Sequence, residues 1–403
     1  MDIAIVGAGI VGVATAYELA RDGHQVCVYE RRSAAAEEAS FGSTGLLAPA
    51  RLIPWAQPGA DGARARLARG AGLGALGWLW RARRAARQPA AGALLAALAR
   101  LELYSLERTR TLAQELQLDT ETSPGTLVLL RSSEDEQRLQ PTLALLQEAG
   151  VVIRRVDADT ARLIEPGLAV DTPLAGALHA RDGEATNCRL FALQLRQKAQ
   201  QLGVQFFFNS SVQSLRAGVR VAGESAPRHA DAVVLCAGLA SDALLRPLGL
   251  HLPMAAVHGY AISVPLREDT HAPQGSVIDP LHRLAITRQG QRVRVSAGAE
   301  LGSGGGAYHA PTLQTMYLAL SGWFPGGALT SSPQVQVWRG ARPTLPDGAP
   351  VIGASGLPGL WLNTGHGACG WAQACGSARA LADLLAGRAP AVDLQPLAAS
   401  RFG

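Results

Sequence analysis

The chain has 403 residues, 48% hydrophobic and 17% charged, with a formal net charge of +5. That size predicts two or three domains with sizeable cores and excludes a disordered polymer. No apolar run nears the roughly 20 residues that span a bilayer, and no cleavable leader is expected before the first ordered segment. Five cysteines (Cys27, Cys188, Cys236, Cys369, Cys375) form neither a C-x-x-C pair nor a metal-ligand spacing. A zinc module and a disulfide-framed secreted scaffold are therefore poor readings, and a reducing, cytoplasmic setting is expected.

Residues 3–6, an apolar run containing Ile5 and Val6, read as a buried parallel strand. They lead into Gly7-Ala8-Gly9-Ile10-Val11-Gly12, a G-x-G-x-x-G loop, after which Ile10, Val13, Ala14 and Tyr17 share one helical face. Gly23 ends that helix, and residues 26–29 supply a second strand before Glu30 and Arg31. Gly7 permits the tight turn, Gly9 lets the backbone approach a pyrophosphate, and Gly12 lets helix and strand pack closely. The helix N-terminus offers N–H groups to phosphates. Glu30, 18 residues after Gly12, is placed to accept from ribose hydroxyls and to repel a 2′-phosphate. Dinucleotide binding follows; this motif alone does not separate FAD from NAD.

Between residues 51 and 100 stand nine arginines and one acid, Asp61, a local charge of +8; the rest of the chain is −3. Lys198 is the only lysine. Leu73, Leu76, Trp78, Leu79 and Trp80 are interleaved with these arginines. A segment of this kind over 64–100 suits an anionic membrane surface, peripheral on the inner membrane. The plainer reading is a solvated Ala-rich helix with its tryptophans packed inward. Nucleic acid is a poor partner, because no recognition motif accompanies the charge.

Further on, residues 190–202 read as a helix stopped by Gly203, with a strand at 204–208. Residues 231–236 form an apolar strand ending in Ala237-Gly238. Residues 257–264, 283–288 and 292–297 read as short strands separated by Pro, Gly and Asp, the grammar of an antiparallel sheet. The Gly302–Gly306 run is a flexible turn with no strand–helix frame around it. Gly365, Gly367 and Gly370 let the backbone pass close to a flat ligand. The helix from Trp371, with Ala374, Cys375, Ala378 and Leu381 at helical spacing, aims its positive end there.

The order and spacing of these blocks, with Trp338-Arg339-Gly340-Ala341-Arg342-Pro343, Pro346-Asp347-Gly348 and residues 362–371, resemble the FAD-dependent D-amino-acid oxidase superfamily, and within it the bacterial D-amino-acid dehydrogenases. The blocks at 54–59, 125–127, 202–206, 259–265 and 285–288 agree, so the resemblance covers nearly the whole chain. Ser43 stands where these dehydrogenases commonly carry Asn, Asn187 where they often carry Asp, and residues 70–100 match loosely. The resemblance implies an α/β fold, with a Rossmann-type FAD domain (1–50, 184–250 and 338–403) and a mainly antiparallel substrate domain (51–183 and 251–337). It also implies FAD contacts from the Ser43-Thr44-Gly45 segment, Val212, Ala237, Gly238, Gly365, Gly367, Gly370 and Trp371.

Amino-acid oxidation requires the substrate Cα–H to face flavin N5 and the carboxylate to be clamped. A guanidinium fork clamps well, and Arg342 matches the carboxylate-binding arginine of the resembled family. Tyr260 and His366 are further candidates for the substrate and flavin pocket; Trp55 is a weaker one. Cys369 has no nearby base and is read as packing. The resemblance implies oxidative deamination of D-amino acids to 2-oxo acids and ammonia, with electrons passed to a quinone or other carrier. One other enzyme stays open, an oxygen-using oxidase of glycine, sarcosine or a cyclic imino acid, and so does a catalytically idle subunit of a larger complex. A flavin-fold RNA-binding module is the remote rival.

Overall fold

The computed structural model describes residues 1–47, 64–68, 71–88, 90–302 and 306–402. Asp2–Val6 alternates little and is buried on both faces, as a central parallel strand must be. It pairs in parallel with Gln25–Tyr29 on one side and Ala232–Leu235 on the other. The six-stranded sheet runs Val351–Ala354, Leu360–Thr364, Ala232–Leu235, Asp2–Val6, Gln25–Tyr29, Gln205–Phe207. All its pairs are parallel except the outermost, Val351–Ala354 with Leu360–Thr364. The helices Ile10–Arg21 and Cys188–Gln201 match the expected ones to within two residues at each end. Asn187 caps the second of these by accepting from the Leu190 amide at 3.1 Å.

The larger sheet has ten strands. Its path is Gln336–Thr344, Ala255–Pro265, Arg292–Leu301, Leu284–Gln289, Ser276–Asp279, Ser123–Leu130, Gly176–Ala185 and Leu46–Leu47. Arg66–Leu67 and Arg154–Val156 pair beside this path. Most pairs are antiparallel, as the short-strand grammar predicted. Ala310–Trp323 packs on this sheet and buries Met316, Leu320 and Trp323 in its core.

The sheets depart from the expected domain boundaries in several places, 184–185 among them, which pair in the larger sheet. Leu46–Leu47 and Gln336–Thr344 both pair in the larger sheet, although 46–47 and 338–344 were expected in the FAD domain. The helix Ala90–Glu115, expected in the substrate domain, joins the core of the smaller sheet through Leu98, Leu101, Leu106 and Leu112. Its physical anchor is Glu18, which is fully buried and takes hydrogen bonds from Arg108 Nε and Nη2 (2.7 and 2.9 Å) and Arg379 Nη1 (2.9 Å). A buried carboxylate requires such partners, so three helices are tied at one point. Gly376 lets two of them touch; a Cβ there would lie 2.7 Å from Ser105 Cβ.

The basic segment folds as the helix Leu73–Ala85 followed by Ala90–Glu115. Trp78 is buried and donates from its indole to the Pro253 carbonyl at 2.7 Å. Leu79 is buried too, whereas Leu73, Leu76 and Trp80 are exposed. The expectation that the tryptophans pack inward therefore holds for Trp78 and not for Trp80. Among the described residues, no helix is long and apolar enough to cross a membrane.

Candidate active site

A cleft runs along the carboxyl ends of the parallel strands, where open α/β sheets bind their ligands. Its first wall is the glycine loop. Gly7 sits at φ +102°, and its amide donates to the Tyr29 carbonyl at 2.8 Å. A Cβ on Gly7 would lie 2.5 Å from the Cys236 carbonyl oxygen. One on Gly12 would lie 2.0 Å from the Gly7 carbonyl oxygen. Gly12 therefore closes helix onto strand and is not a wall of the cleft, and neither is Ile5. Val6, Gly7, Gly9, Ile10 and Val11 do line it.

Glu30 is buried in the same wall and already serves the loop. Its carboxylate accepts from the Ala8 amide at 2.7 Å and the Arg32 amide at 2.8 Å. A carboxylate has about four acceptor positions, so it retains capacity for hydroxyls. Arg31 lines the cleft and donates to Glu38 at 2.8 Å. Ser40, which sequence reasoning passed over, accepts from the Ile10 amide at 3.1 Å and so caps the first helix from outside.

The segment Phe41–Gly45 forms the next wall, and its carbonyls are held from several elements. Arg294 donates to the carbonyls of Phe41 (3.3 Å) and Ser43 (2.9 Å), and Thr287 and Gln289 donate to that of Thr44 (2.7 and 3.0 Å). Trp371 donates from its indole to the Gly45 carbonyl at 3.0 Å and to Thr186 Oγ1 at 3.1 Å. Gly45 sits at φ +86°, with Thr186 O 2.2 Å from where a Cβ would be. Ser43 and Thr44 line the cleft, whereas Gly45 lies behind them. The Ser43 hydroxyl accepts from the Gly45 amide at 3.2 Å. Arg294 was not foreseen; burial pushes its pKa down to about 10, so it still carries its charge at neutral pH.

Val212, Ala237, Gly238, Gly365, Gly367, Gly370 and Trp371 complete the expected lining. The helix Gly370–Leu385 begins at the cleft, and the chain before it turns through Gly365 (φ +81°) and Gly367 (φ +52°). His366 lies in this turn, buried, with its Nε2 bonded to no protein atom among the described residues. Burial pushes its pKa down to about 3, so the ring is neutral throughout the physiological range. Trp338 is a lining residue that the sequence did not mark. Its indole fits because positions 42 and 340 are glycines, where a Cβ would fall 2.0 and 1.7 Å from the ring.

Arg342 and Tyr260 face each other's neighbourhood across paired strands and line both this cleft and a second cavity beside it. The Arg342 guanidinium lies over Gly259, where a Cβ would come within 2.4 Å of Nη2, and Nη1 donates to the Gly298 carbonyl at 3.2 Å. The Tyr260 hydroxyl donates to Glu300 at 3.0 Å and accepts from the His309 amide at 3.2 Å. Burial acts to raise the Glu300 carboxyl, but Tyr260, Arg66 and Arg339 together hold it below its ordinary value. Trp55 lies outside the described residues. Cys369 does not line the cleft and packs beside a core cluster. Cys188 does line it, and burial raises its thiol pKa far above neutral.

The cleft fits a flavin dinucleotide by its own chemistry. Glycines line it, two helix N-termini open onto it, and His366 Nε2 is a buried polar atom whose hydrogen bond no protein group among the described residues makes. The solved structures agree on the fold. Glycine oxidase from Geobacillus kaustophilus superposes with a TM-score of 0.75 over 99% of this chain and 98% of its own, at 22% identity. L-proline dehydrogenase from P. horikoshii superposes at 0.76, covering 100% and 97%, at 17% identity. In sequence, the D-amino acid dehydrogenase of Cereibacter sphaeroides is 37% identical over 434 aligned positions, which take in all of this chain and 95% of that one. The family model for FAD-dependent oxidoreductases of the DAO type matches residues 2–384. With its glycine loop, its paired sheets and this match along nearly its full length, the chain belongs to the DAO family of FAD-dependent oxidoreductases and has FAD as its cofactor.

Proposed function

We propose that the chain is a D-amino-acid dehydrogenase, converting a D-amino acid and water to a 2-oxo acid and ammonia and passing the two electrons to a quinone or similar carrier. The observation that carries this reading is Arg342: a buried-edge guanidinium on the wall of the flavin cleft, on a chain that is alike end to end to a D-amino acid dehydrogenase. Glycine-loop residues 6–11, Glu30, Arg31, Ser43, Thr44, Val212, Ala237 and Gly238, together with Gly365, Gly367, Gly370 and Trp371, would hold the cofactor. When bound, FAD supplies the acceptor for the hydride that leaves the substrate Cα.

The chain's own groups bind and orient. Arg342 takes the α-carboxylate in a two-pronged, charge-assisted contact and so fixes the direction of the Cα–H bond. Glu300 and the His309 amide hold the Tyr260 hydroxyl, so its ring is a fixed wall rather than a mobile acid. Neutral His366 offers no positive charge and only a weakly basic nitrogen, so it is not the group that takes the proton of the substrate amine. The imine left by hydride loss then adds water and releases ammonia. An anaerobic spectral titration tests the reading. D-alanine is expected to bleach the flavin band, L-alanine and sarcosine to leave it unchanged, and turnover in air to yield little peroxide. Bleaching by sarcosine or glycine, with stoichiometric peroxide, would overturn it in favour of an oxidase.

The helix Leu73–Ala85 favours a membrane-surface site for the electron acceptor. Leu73, Leu76 and Trp80 are exposed at helical spacing, Arg84 lies over the Trp80 ring at 5.5 Å, and Arg81, Arg83 and Arg87 flank them. Replacing Leu73, Leu76 and Trp80 together by Asp is expected to abolish flotation with anionic liposomes while leaving flavin content intact. Equal flotation of both forms refutes the surface role. Deleting residues 64–100 is a poor test, because Leu95 and Leu98 are core.

A further inference from the structure

We propose that the Ser296 hydroxyl is the contact for the substrate's amino group, accepting a hydrogen bond from its N–H beside the flavin; this rests on the amino-acid oxidation proposed above. Among the described residues, Thr44, Tyr260, Ser296 and Arg342 line both the flavin cleft and the second cavity. The Tyr260 hydroxyl is committed to Glu300 and the His309 amide. The Ser296 hydroxyl is sealed from bulk water and bonded to no protein atom among the described residues, and the residue as a whole is 8% exposed. A buried hydroxyl without a partner is costly to keep, so such an atom calls for an explanation. Its neighbours across both flanking strands are Ala261 and Ala285, whose side chains have no polar atom to offer.

The sheet places this residue where the substrate nitrogen must lie. Directly paired residues share a face of a sheet, and so do residues two apart along a strand. Trp338, paired with Ala261 in the same row as Ser296, lines the flavin cleft. Arg294, two residues before Ser296, donates to the Ser43 carbonyl in the flavin wall at 2.9 Å. Gly298, two residues after it, accepts from Arg342 Nη1 at 3.2 Å. Ser296 therefore stands between the flavin wall and the carboxylate clamp, with about 7 Å of strand on either side. With the carboxylate on Arg342 and the Cα–H turned to the flavin, amine and side chain are the two substituents left. Exchanging them gives the mirror image, so a site that prefers one hand must give them unlike surroundings. The Ser296 hydroxyl is an acceptor for the amine, and the second cavity, of ≈ 220 Å³, has room for the side chain. The ammonium, the neutral amine and the imine product each carry an N–H, so the same contact serves all three.

The test uses the purified holoprotein and an artificial electron acceptor, with rates taken per bound flavin. Propionate is the competitive inhibitor, because it has the carboxylate and carbon chain of alanine without the amine. Ser296→Ala is expected to lower kcat/KM for D-alanine by about 10- to 100-fold, the range for one hydrogen bond to a charged partner, at unchanged flavin content. The inhibition constant of propionate is expected to stay within about twofold. An unchanged kcat/KM overturns the inference and leaves the D-amino-acid reading standing, the hydroxyl then being served by water. Equal losses for D-alanine and propionate also overturn it, since Ser296 would then act on the carboxylate or on packing. Turnover of no D-amino acid by the unsubstituted protein overturns both.

Discussion

Arg342→Leu is expected to lower kcat/KM for D-alanine by about 100- to 5,000-fold while flavin stays bound. Leucine keeps much of the stem volume but removes the fork that pairs with a carboxylate, and loss of one partner from such a desolvated pair costs about 3–5 kcal/mol. At 1.36 kcal/mol per factor of ten, the low end of that range already exceeds a hundredfold. Flavin retention is expected because the glycine loop, Glu30 and the Gly365–Gly370 turn lie on other elements. Arg342→Lys keeps the charge without the paired donors and falls between. Steady-state rates with an artificial acceptor, beside the visible spectrum of each variant, check this. An unchanged kcat/KM in Arg342→Leu would falsify the carboxylate role.

The second large effect concerns the glycine loop. Gly12→Val places a Cβ at 2.0 Å from the Gly7 carbonyl oxygen, inside the contact distance of any real pair, so helix and loop must separate. The Gly7 and Ala8 amides, pinned to Tyr29 and Glu30, then lose their position. The purified variant is expected to be colourless, with under about a tenth of the wild-type flavin content. Gly23→Ala is the control: φ is +86° there, but nothing lies within 4 Å of the new Cβ. That change costs about 1 kcal/mol of backbone strain and should leave the protein yellow. If Gly12→Val retained a full complement of flavin on absorbance, close packing would not be what position 12 does.

The contrast between these glycines also shows why parts of the molecule were readable in advance. The opening strand, loop and helix are local: Gly7, Gly12 and Glu30 lie within one β-α-β unit, and each residue type has one evident task. The order of the larger sheet was not readable, because its registers join distant segments such as Leu46 with Ala185 and Ser276 with Thr126. Arg294 and Trp338 escaped notice for the same reason. In a strand, Arg294 reads as an outward-facing charge; it is buried because its acceptors are carbonyls some 250 positions earlier in the chain. Trp338 is accommodated by Gly42 as well as by nearby Gly340. The helix Ala90–Glu115 followed Glu18 to the smaller sheet, and an ion pair across 90 residues leaves no local pattern.

The anchoring of Phe41–Gly45 has a mechanical consequence. Thr287, Gln289 and Arg294 grip this short stretch from the larger sheet, and Trp371 grips it from the helix that starts at the opposite rim. Swinging the two lobes apart like a clamshell would tear several inward-facing bonds at once. Traffic of reactants and products must therefore pass a rigid frame through a doorway rather than a hinge, and enzymes from this chain should differ in throughput mainly by what guards that doorway.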